Sequence, residues 1–339
     1  MKRNFSSTAR MLSRIIWVLA ISLSLNVTAQ QPRQGTSARK PQKAAPKVQF
    51  ASGNSTLNIP LEIDNNLILM QVRVNGSKPL KFIFDTGASY TAIDSKQVAE
   101  LGLKTEGRDT GSATGGPIQI SYVKGVSLSV SGAEVTNQLI ASVLFPTVPG
   151  FEFDGVLGYD FIKQFVVEID YLKRIMNLYD PRTYTYNGKG GTIPLSLAGR
   201  TPLAHTKIIL EGRAPVGAEL LVDTGGDGTF IISPRIVKKH ALVSAMPKVV
   251  QDRGRGLGGE QSRLLGRVKA VRLGRFVFTN PPVALVLGSV GGSASEEYDG
   301  IVGGEIFRRF KVILDYSRKQ MILEPNRNFN DPYDVEGGD

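Results

Sequence analysis

Short runs of apolar residues, separated by Gly, Pro, Asn and Ser, follow one another from about Leu57 to near the end of the chain. Runs of this length between turn residues are typical of β-strands. Two stretches differ, because Ser95 to Leu101 and Ser233 to His240 are each predicted to be a short helix capped by its serine. The pattern therefore predicts an all-β protein with few short helices.

The strand pattern occurs twice, and each copy contains the motif Asp-Thr-Gly directly after an apolar run. The motifs are Asp85-Thr86-Gly87 and Asp223-Thr224-Gly225, which lie 138 residues apart. Each copy also contains a later element of two apolar residues and a glycine, Val156-Leu157-Gly158 and Ile301-Val302-Gly303. Matched motifs in matched surroundings indicate an internal duplication and two homologous domains.

Composition divides the chain further. Residues 30–54 are rich in Gln, Pro, Ala, Lys and Arg and show no apolar period, which predicts a basic, disordered linker. The predicted divisions are a signal peptide at 1–29, the linker at 30–54, a first lobe at 55–186, a second lobe at 190–327 and a frayed tail at 328–339.

The formal net charge of +11 comes almost wholly from the first 50 residues, which hold nine Lys or Arg and no Asp or Glu. The remaining 32 basic and 30 acidic residues nearly cancel, so the charge does not indicate a nucleic-acid partner. In the leader, basic residues precede an apolar run from Ile15 to Leu25 and the small residues Val27-Thr28-Ala29. This order predicts export to the periplasm or the exterior by a cleaved signal peptide, with an uncleaved membrane anchor as the alternative.

The residue types exclude several kinds of site. The chain has no cysteine, so neither disulfides nor thiolate metal sites can form. Its two histidines, His205 and His240, lie far apart without metal-ligand spacing, and no Gly-x-Ser-x-Gly motif accompanies them. We therefore expect no metal, no cofactor and no Ser-His-Asp triad.

Two aspartates in matched settings can perform acid–base chemistry without a metal. Carboxylates held about 3 Å apart cannot both ionise, so they share one proton. One carboxylate can then accept a proton from water while its protonated partner polarises a substrate carbonyl. A duplication that relates Asp85 to Asp223 by a pseudo-twofold axis would bring such a pair together.

On these motifs the chain resembles the aspartic peptidases, and more specifically two retropepsin-like domains in tandem, over about residues 60–325. The resemblance implies two acid-protease-type β-barrel lobes related by a pseudo-twofold axis, with catalytic Asp85 and Asp223 at their interface. It also implies supporting roles for the neighbours of this dyad, namely Thr86 and Thr224 in a reciprocal hydrogen-bond brace, Gly87 and Gly225 as backbone donors to the carboxylates, and Ser89.

The resemblance further implies β-hairpin flaps that close over the substrate. Glycine-rich stretches at 110–116 and 254–259 are the candidates, since such hairpin tips suit a lid; ordinary loops are the alternative. The candidate flap and substrate-binding residues are Gly111, Gly115, Gly116, Gly256, Gly258 and Gly259. Neither tip carries the tyrosine of pepsin-like flaps, which, with the missing cysteines, favours the retropepsin-like resemblance.

One position departs from the family pattern. Asp227 stands where the first copy has Ser89, and an acid beside the dyad would raise the carboxylate pKa values. If Asp227 instead points outward or caps a turn, it has no such effect. The other repeated acids, which we expect to be structural, are Asp154, Asp299, Asp170 and Asp315.

The predicted function is that of an aspartic endopeptidase, which hydrolyses peptide bonds with a water activated by Asp85 and Asp223. We expect a milder pH optimum than that of a gastric enzyme. The alternatives are a peptide-binding or assembly module without turnover and a non-peptidase hydrolase. The expected partner is a peptide or protein substrate, with no nucleic acid and no membrane contact beyond the N-terminal segment. Because one chain supplies both aspartates, a monomer is sufficient.

Overall fold

The computed structural model describes residues 16–17, 21–22, 45–288 and 297–333. Strands account for 54% of the chain and four short helices for 8%, which confirms the all-β, two-lobed fold. Most of the predicted signal peptide and linker lies outside the described residues. Within the described residues, no helix has the length and apolar character needed to cross a membrane.

The strands that precede or belong to the first lobe are β1 (Ile16–Trp17), β2 (Ile21–Ser22), β3 (Lys47–Phe50), β4 (Ser55–Pro60), β5 (Glu62–Asp64), β6 (Leu67–Val74), β7 (Leu80–Phe84), β8 (Ala92–Asp94), β9 (Glu106–Ala113), β10 (Gly116–Val130), β11 (Ala133–Val143), β12 (Gly155–Leu157), β13 (Val166–Asp170) and β14 (Ile175–Tyr179). The helices of this lobe are α1 (Ser95–Glu100) and α2 (Tyr159–Ile162).

The strands of the second lobe are β15 (Gly191–Ala198), β16 (Thr201–Ile209), β17 (Val216–Val222), β18 (Phe230–Ile232), β19 (Val249–Gly256), β20 (Gly259–Arg267), β21 (Ala270–Leu273), β22 (Phe276–Thr279), β23 (Pro282–Val286), β24 (Gly300–Val302), β25 (Phe310–Asp315) and β26 (Gln320–Pro325). Its helices are α3 (Pro234–Lys239) and α4 (Gly304–Phe307), with a single 3-10 turn at Val243–Ala245.

The two lobes share one strand order. Neighbouring strands of the first lobe run β9-β10-β11-β8-β12-β7-β6-β5, and those of the second run β19-β20-β23-β18-β24-β17-β16-β15. In each lobe the strand before Asp-Thr-Gly pairs in parallel with the strand of the hydrophobic-hydrophobic-Gly element, β7 with β12 and β17 with β24. That element also pairs antiparallel with the strand after the motif, β8 or β18. Each Asp-Thr-Gly turn is therefore held between central strands.

One sheet joins the lobes in the order β15-β26-β25-β13-β14-β4. In its middle, β13 and β25 pair antiparallel with Glu168 opposite Ile313. These two residues occupy equivalent positions of the duplicated sequence, so the pseudo-twofold axis passes between them. A single continuous cluster of buried apolar side chains extends through both lobes. Each fully buried Phe or Leu contributes roughly 1.5–3 kcal/mol, which stabilises a chain that has no disulfide.

Local details differ from the sequence predictions. Helix α1 is capped by Asp94, whose Oδ1 accepts a hydrogen bond from the Lys96 amide at 2.8 Å, so Ser95 is its first helical residue instead of its cap. Helix α3 begins after Ser233 with Pro234 in the first turn, as the sequence predicts, although the serine side chain makes no capping hydrogen bond. Asp94, at the end of β8, is the N-cap residue because its carboxylate accepts from the second amide of the helix.

The predicted linker and tail are both shorter than expected. Residues 47–50, assigned to the disordered linker, form β3, which pairs antiparallel with β11. Residues from Asn328 to Tyr333, assigned to a frayed tail, lie on the second lobe. There the buried guanidinium of Arg309 donates to the carbonyls of Phe329 at 3.1 Å and Asp331 at 2.6 Å. Backbone pairing and a buried cation therefore order segments whose side chains show no apolar period.

Candidate active site

The two Asp-Thr-Gly motifs meet at the lobe interface. Asp85 directly follows β7, and its amide donates to the Leu157 carbonyl of β12 at 3.0 Å. Asp223 directly follows β17, and its amide donates to the Val302 carbonyl of β24 at 3.0 Å. The central strands thus place each aspartate at the same point of its lobe, and the pseudo-twofold axis places the two points together.

A reciprocal pair of threonine hydroxyls connects the two turns. The Thr86 hydroxyl donates to the Val222 carbonyl at 2.6 Å and accepts from the Thr224 amide at 3.0 Å. The Thr224 hydroxyl donates to the Phe84 carbonyl at 2.8 Å and accepts from the Thr86 amide at 3.1 Å. Both side chains are buried, so these four bonds satisfy backbone groups that no water reaches.

Backbone amides hold one oxygen of each carboxyl. Asp85 Oδ1 accepts from the amides of Gly87 at 2.7 Å and Ala88 at 3.1 Å. Asp223 Oδ1 accepts from the Gly225 amide at 2.8 Å. Each glycine also lies against the carboxyl of the opposite lobe: a Cβ on Gly87 would stand 2.7 Å from Asp223 Oδ1, and one on Gly225 would overlap the Asp85 carboxyl. Glycine is therefore required where the two turns face each other.

The second oxygen of each carboxyl receives no such donor. Asp85 Oδ2 and Asp223 Oδ2 are buried, and neither has a hydrogen-bond partner among the described residues. Both side chains have no solvent exposure. Burial raises the pKa of both groups, and the charge of Asp223 raises the pKa of Asp85 further, against the lowering effect of the amides. Because two like charges in one buried site disfavour each other, the two carboxyls titrate as a pair.

Ser89 and Asp227 occupy equivalent places beyond the motifs, and both are buried. The Ser89 carbonyl accepts from Arg200 Nη1 at 3.3 Å, and the Asp227 carbonyl accepts from Asn66 Nδ2 at 3.0 Å. Because its side chain is buried, Asp227 does not point into open solvent.

The candidate flaps form two β-hairpins whose tips meet. Gly111 lies in β9, Gly115 at the first tip and Gly116 at the start of β10; Gly256 ends β19, Gly258 forms the second tip and Gly259 begins β20. The Gly258 amide donates to the Thr114 carbonyl of the opposite tip at 2.9 Å. A Cβ on Gly258 would overlap the backbone of Gly116. The backbones of the two tips thus touch at a separation that only glycine allows.

The second flap also crosses to the first lobe, a contact that the sequence did not predict. Leu257 at its tip is buried in an apolar cluster of the first lobe that includes Ala88, Ala113 and Ile118. This cluster forms an apolar wall beside the turn that carries Asp85. The outer edges of the flaps pair with two-residue segments of the predicted signal peptide, β9 with β2 and β19 with β1.

The other repeated acids lie at the ends of strands, outside the dyad. Asp154 Oδ2 accepts from the Lys81 amide at 2.8 Å, and Asp299 Oδ2 accepts from the Glu219 amide at 2.9 Å. Asp170 accepts from the amides that follow β13, and Asp315 accepts from Arg318 and Ser317 after β25. Each carboxylate stabilises backbone or a neighbouring side chain at a strand end.

Comparison with known proteins agrees with this arrangement. A family model described as an aspartyl protease matches residues 70–161 and 206–306, which together make up more than half of the chain. Each matched segment contains one Asp-Thr-Gly motif and one hydrophobic-hydrophobic-Gly element. The match in two segments is consistent with tandem retropepsin-like domains. None of the curated proteins matches the chain.

Proposed function

The chain belongs to the aspartyl protease family, and from this premise we propose that it is an endopeptidase in which Asp85 and Asp223 activate water for attack on a peptide bond. The observation that carries the proposal is the pair of fully buried carboxyls, one from each lobe, that raise each other's cost of ionisation and would share one proton. The matched amide donors and the threonine brace give this pair a fixed geometry.

The proposed reaction uses the single shared proton. The ionised carboxylate accepts a proton from a water molecule bound between the two acids, and the water oxygen attacks the carbonyl carbon of the substrate. The protonated carboxyl donates its proton to the carbonyl oxygen, which gives a neutral tetrahedral diol. The carboxyl that took the proton from water then donates it to the amide nitrogen, while the other carboxylate accepts a proton from a hydroxyl of the diol. The C–N bond breaks, the carboxylic acid and the amine leave, and the pair again holds one proton.

An extended peptide is the substrate that suits this site. The flap strands β9 and β19 each have an outer edge that pairs through backbone with a two-residue segment of the predicted signal peptide, β2 or β1. Removal of that peptide would leave both edges open to another extended chain. Strand addition to a sheet edge binds a peptide mainly through its main chain. Both aspartates belong to one chain, so we propose that a monomer is sufficient. In the leader, basic residues precede an apolar run, and this order supports the further proposal that the protein is exported.

The decisive experiment compares cleavage of a mixed peptide library by the protein without its predicted signal peptide, between pH 3 and pH 8. Asp85→Asn and Asp223→Asn should each lower cleavage by about 10³-fold, since general acid–base catalysis contributes 10²- to 10⁴-fold. A statine-type inhibitor should give the same loss, whereas Asp170→Asn, remote from the dyad, should retain activity. Equal inertness of wild type and variants would favour the peptide-binding module, and undiminished cleavage by Asp223→Asn would exclude the dyad.

The raised pKa values of the dyad also predict the pH profile. Because burial keeps the pair protonated at higher pH than free carboxyls, its single-proton form extends into mildly acidic solution. We expect maximal activity in that range, and a maximum near pH 2 would contradict this mechanism.

A further inference from the structure

Arg200 reaches from the second lobe to the catalytic loop of the first. It lies in the turn between β15 and β16, and its Nη1 donates to Asp160 Oδ1 at 2.7 Å and to the Ser89 carbonyl at 3.3 Å. Its guanidinium lies 3.9 Å from the ring centroid of Tyr90. Ser89 and Tyr90 directly follow the turn that carries Asp85, so one arginine side chain contacts the backbone, a ring and an acid of the opposite lobe.

Asn66 makes the equivalent contact in the other direction. It lies in the turn between β5 and β6, the first hairpin of the first lobe, and its Nδ2 donates to the Asp227 carbonyl at 3.0 Å. The same nitrogen donates to Glu305 Oε2 at 3.2 Å. Asp227 and Glu305 are the counterparts of Ser89 and Asp160 in the duplicated sequence. Two different side chains therefore bind corresponding carbonyls and corresponding acids across the interface.

The acids at these contacts are themselves tied to the catalytic loops. Asp160 lies in α2, which follows Gly158, and the Tyr159 amide at the start of that helix donates to the Ala88 carbonyl at 2.8 Å. In the second lobe the Glu305 amide donates to the Gly228 carbonyl at 3.1 Å. Each contact thus spans a catalytic loop and the helix behind it.

We propose that Arg200 and Asn66 are positioning residues, each of which holds the catalytic loop of the opposite lobe so that the two carboxyls keep their mutual geometry. The threonine brace holds the lobes together at the two Asp-Thr-Gly motifs. The contacts of Arg200 and of Asn66, which we call the two latches, hold the residues four positions after Asp85 and Asp223. The proposal rests on the proposed function only in its prediction for catalysis; the latches themselves are a structural property that can be measured without substrate.

The two latches differ in charge, and this difference makes them separately testable. Arg200 carries a charge that pairs with Asp160, whereas Asn66 is neutral and supplies two hydrogen bonds. Burial raises the pKa of Asp160, while the Arg200 charge lowers it, so removal of the arginine leaves a poorly solvated acid. Glu305 also pairs with Arg308 and Arg309, whereas Asp160 Oδ2 has no hydrogen-bond partner among the described residues, so loss of the Arg200 latch should have the larger effect.

Hydrogen exchange followed by mass spectrometry tests the latches on the protein without its predicted signal peptide. Arg200→Ala should accelerate amide exchange about tenfold in residues 84–91 and leave residues 222–229 within about twofold, whereas Asn66→Ala should show the reverse selectivity. Arg213→Ala and Asn65→Ala are the matched controls. Arg213 lies in another turn of the second lobe, and Asn65 shares the left-handed backbone of Asn66, with φ of 46° against 67°.

Equal acceleration in both loops, or acceleration confined to the turn of the altered residue, would overturn the proposal. Should Arg200→Ala fail to fold, Arg200→Lys keeps the charge but not the planar contact with Tyr90, and its exchange in residues 84–91 should be intermediate. Unchanged exchange in that variant and in Asn66→Ala would likewise overturn it.

Kinetics separate positioning from substrate binding. If the wild type cleaves peptides, Arg200→Ala should lower kcat about tenfold with KM within about twofold, and Arg200→Lys should recover part of kcat. An increase in KM at unchanged kcat would show that Arg200 binds substrate and would refute a positioning role. If the wild type does not cleave, the proposed function fails, and the exchange experiment alone decides on the latches.

Discussion

Replacement of Asp223 by asparagine removes one of two fully buried carboxyls and should stabilise the protein at neutral pH while abolishing cleavage. Asparagine has nearly the same shape, and its side-chain oxygen can still accept from the Gly225 amide. What changes is the cost of placing a second ionisable group in a buried site beside Asp85.

The magnitude follows from the pKa. Burial raises the pKa of Asp223 from 3.8 to about 6, and this shift corresponds to about 3 kcal/mol at 1.36 kcal/mol per unit. Because the folded pKa lies above the unfolded one, the folded state binds more protons. The associated stability is fully present below about pH 4 and is lost as pH rises through 6. At pH 7 the variant should therefore exceed the wild type by about 3 kcal/mol, and by pH 4 the difference should approach zero.

Urea unfolding at several pH values between 4 and 8 measures this difference in the free energy of unfolding. Asp170→Asn, which removes a carboxyl far from the dyad, is the control for a general loss of charge. A variant that is no more stable than the wild type at pH 7, or whose advantage does not change with pH, would show that Asp223 carries no raised pKa and would refute the reasoning.

Three further predictions concern the brace, the flaps and the tail. Thr86→Val, which leaves the Val222 carbonyl and the Thr224 amide without their partner, should lower the free energy of unfolding by about 2–4 kcal/mol; an effect no larger than that of the exposed Thr110→Val would count against the brace. Gly258→Ala should keep the flap tips apart and raise KM severalfold for peptide substrates, whereas Gly288→Ala, with open space around it, should not. Deletion of residues 328–339 should cost about 3–5 kcal/mol in thermal or urea unfolding, because the buried Arg309 loses its carbonyl acceptors. Deletion of 334–339 alone should be neutral, and equal effects would disprove the role of Arg309.

The contacts that Arg200, Asn66 and Leu257 make between the lobes were beyond prediction from the sequence. Arg200 and Asn66 lie in hairpin turns, where arginine and asparagine are ordinary residues, and nothing nearby in sequence marks them as partners of Ser89 or Asp227. The burial of Leu257 in the first lobe could not be predicted either, because its neighbours along the chain are glycines of its own flap and indicate no partner in the other lobe. The one signal available was the equivalence of the two turns in the duplicated sequence.

The edge strand β3 and the cap of helix α1 also depend on structure that the local sequence pattern does not predict. Residues 47–50 have no apolar period because β3 pairs at a sheet edge, where its side chains alternate between exposed and half-buried and the backbone of β11 supplies the pairing. Asp94 and Ser95 are both good capping residues, and the end of β8 decides between them.

The sequence by itself determined the duplicated strand pattern, the two Asp-Thr-Gly turns and the all-β class, because each depends on residue types within a few positions of one another. Only the tertiary structure decided how Asp85 and Asp223 face each other, which oxygens the amides hold, and where the flap tips and turns of one lobe contact the other. Most of the contacts between the lobes join residues more than a hundred positions apart, and their geometry is set by the axis between β13 and β25, which no local pattern encodes.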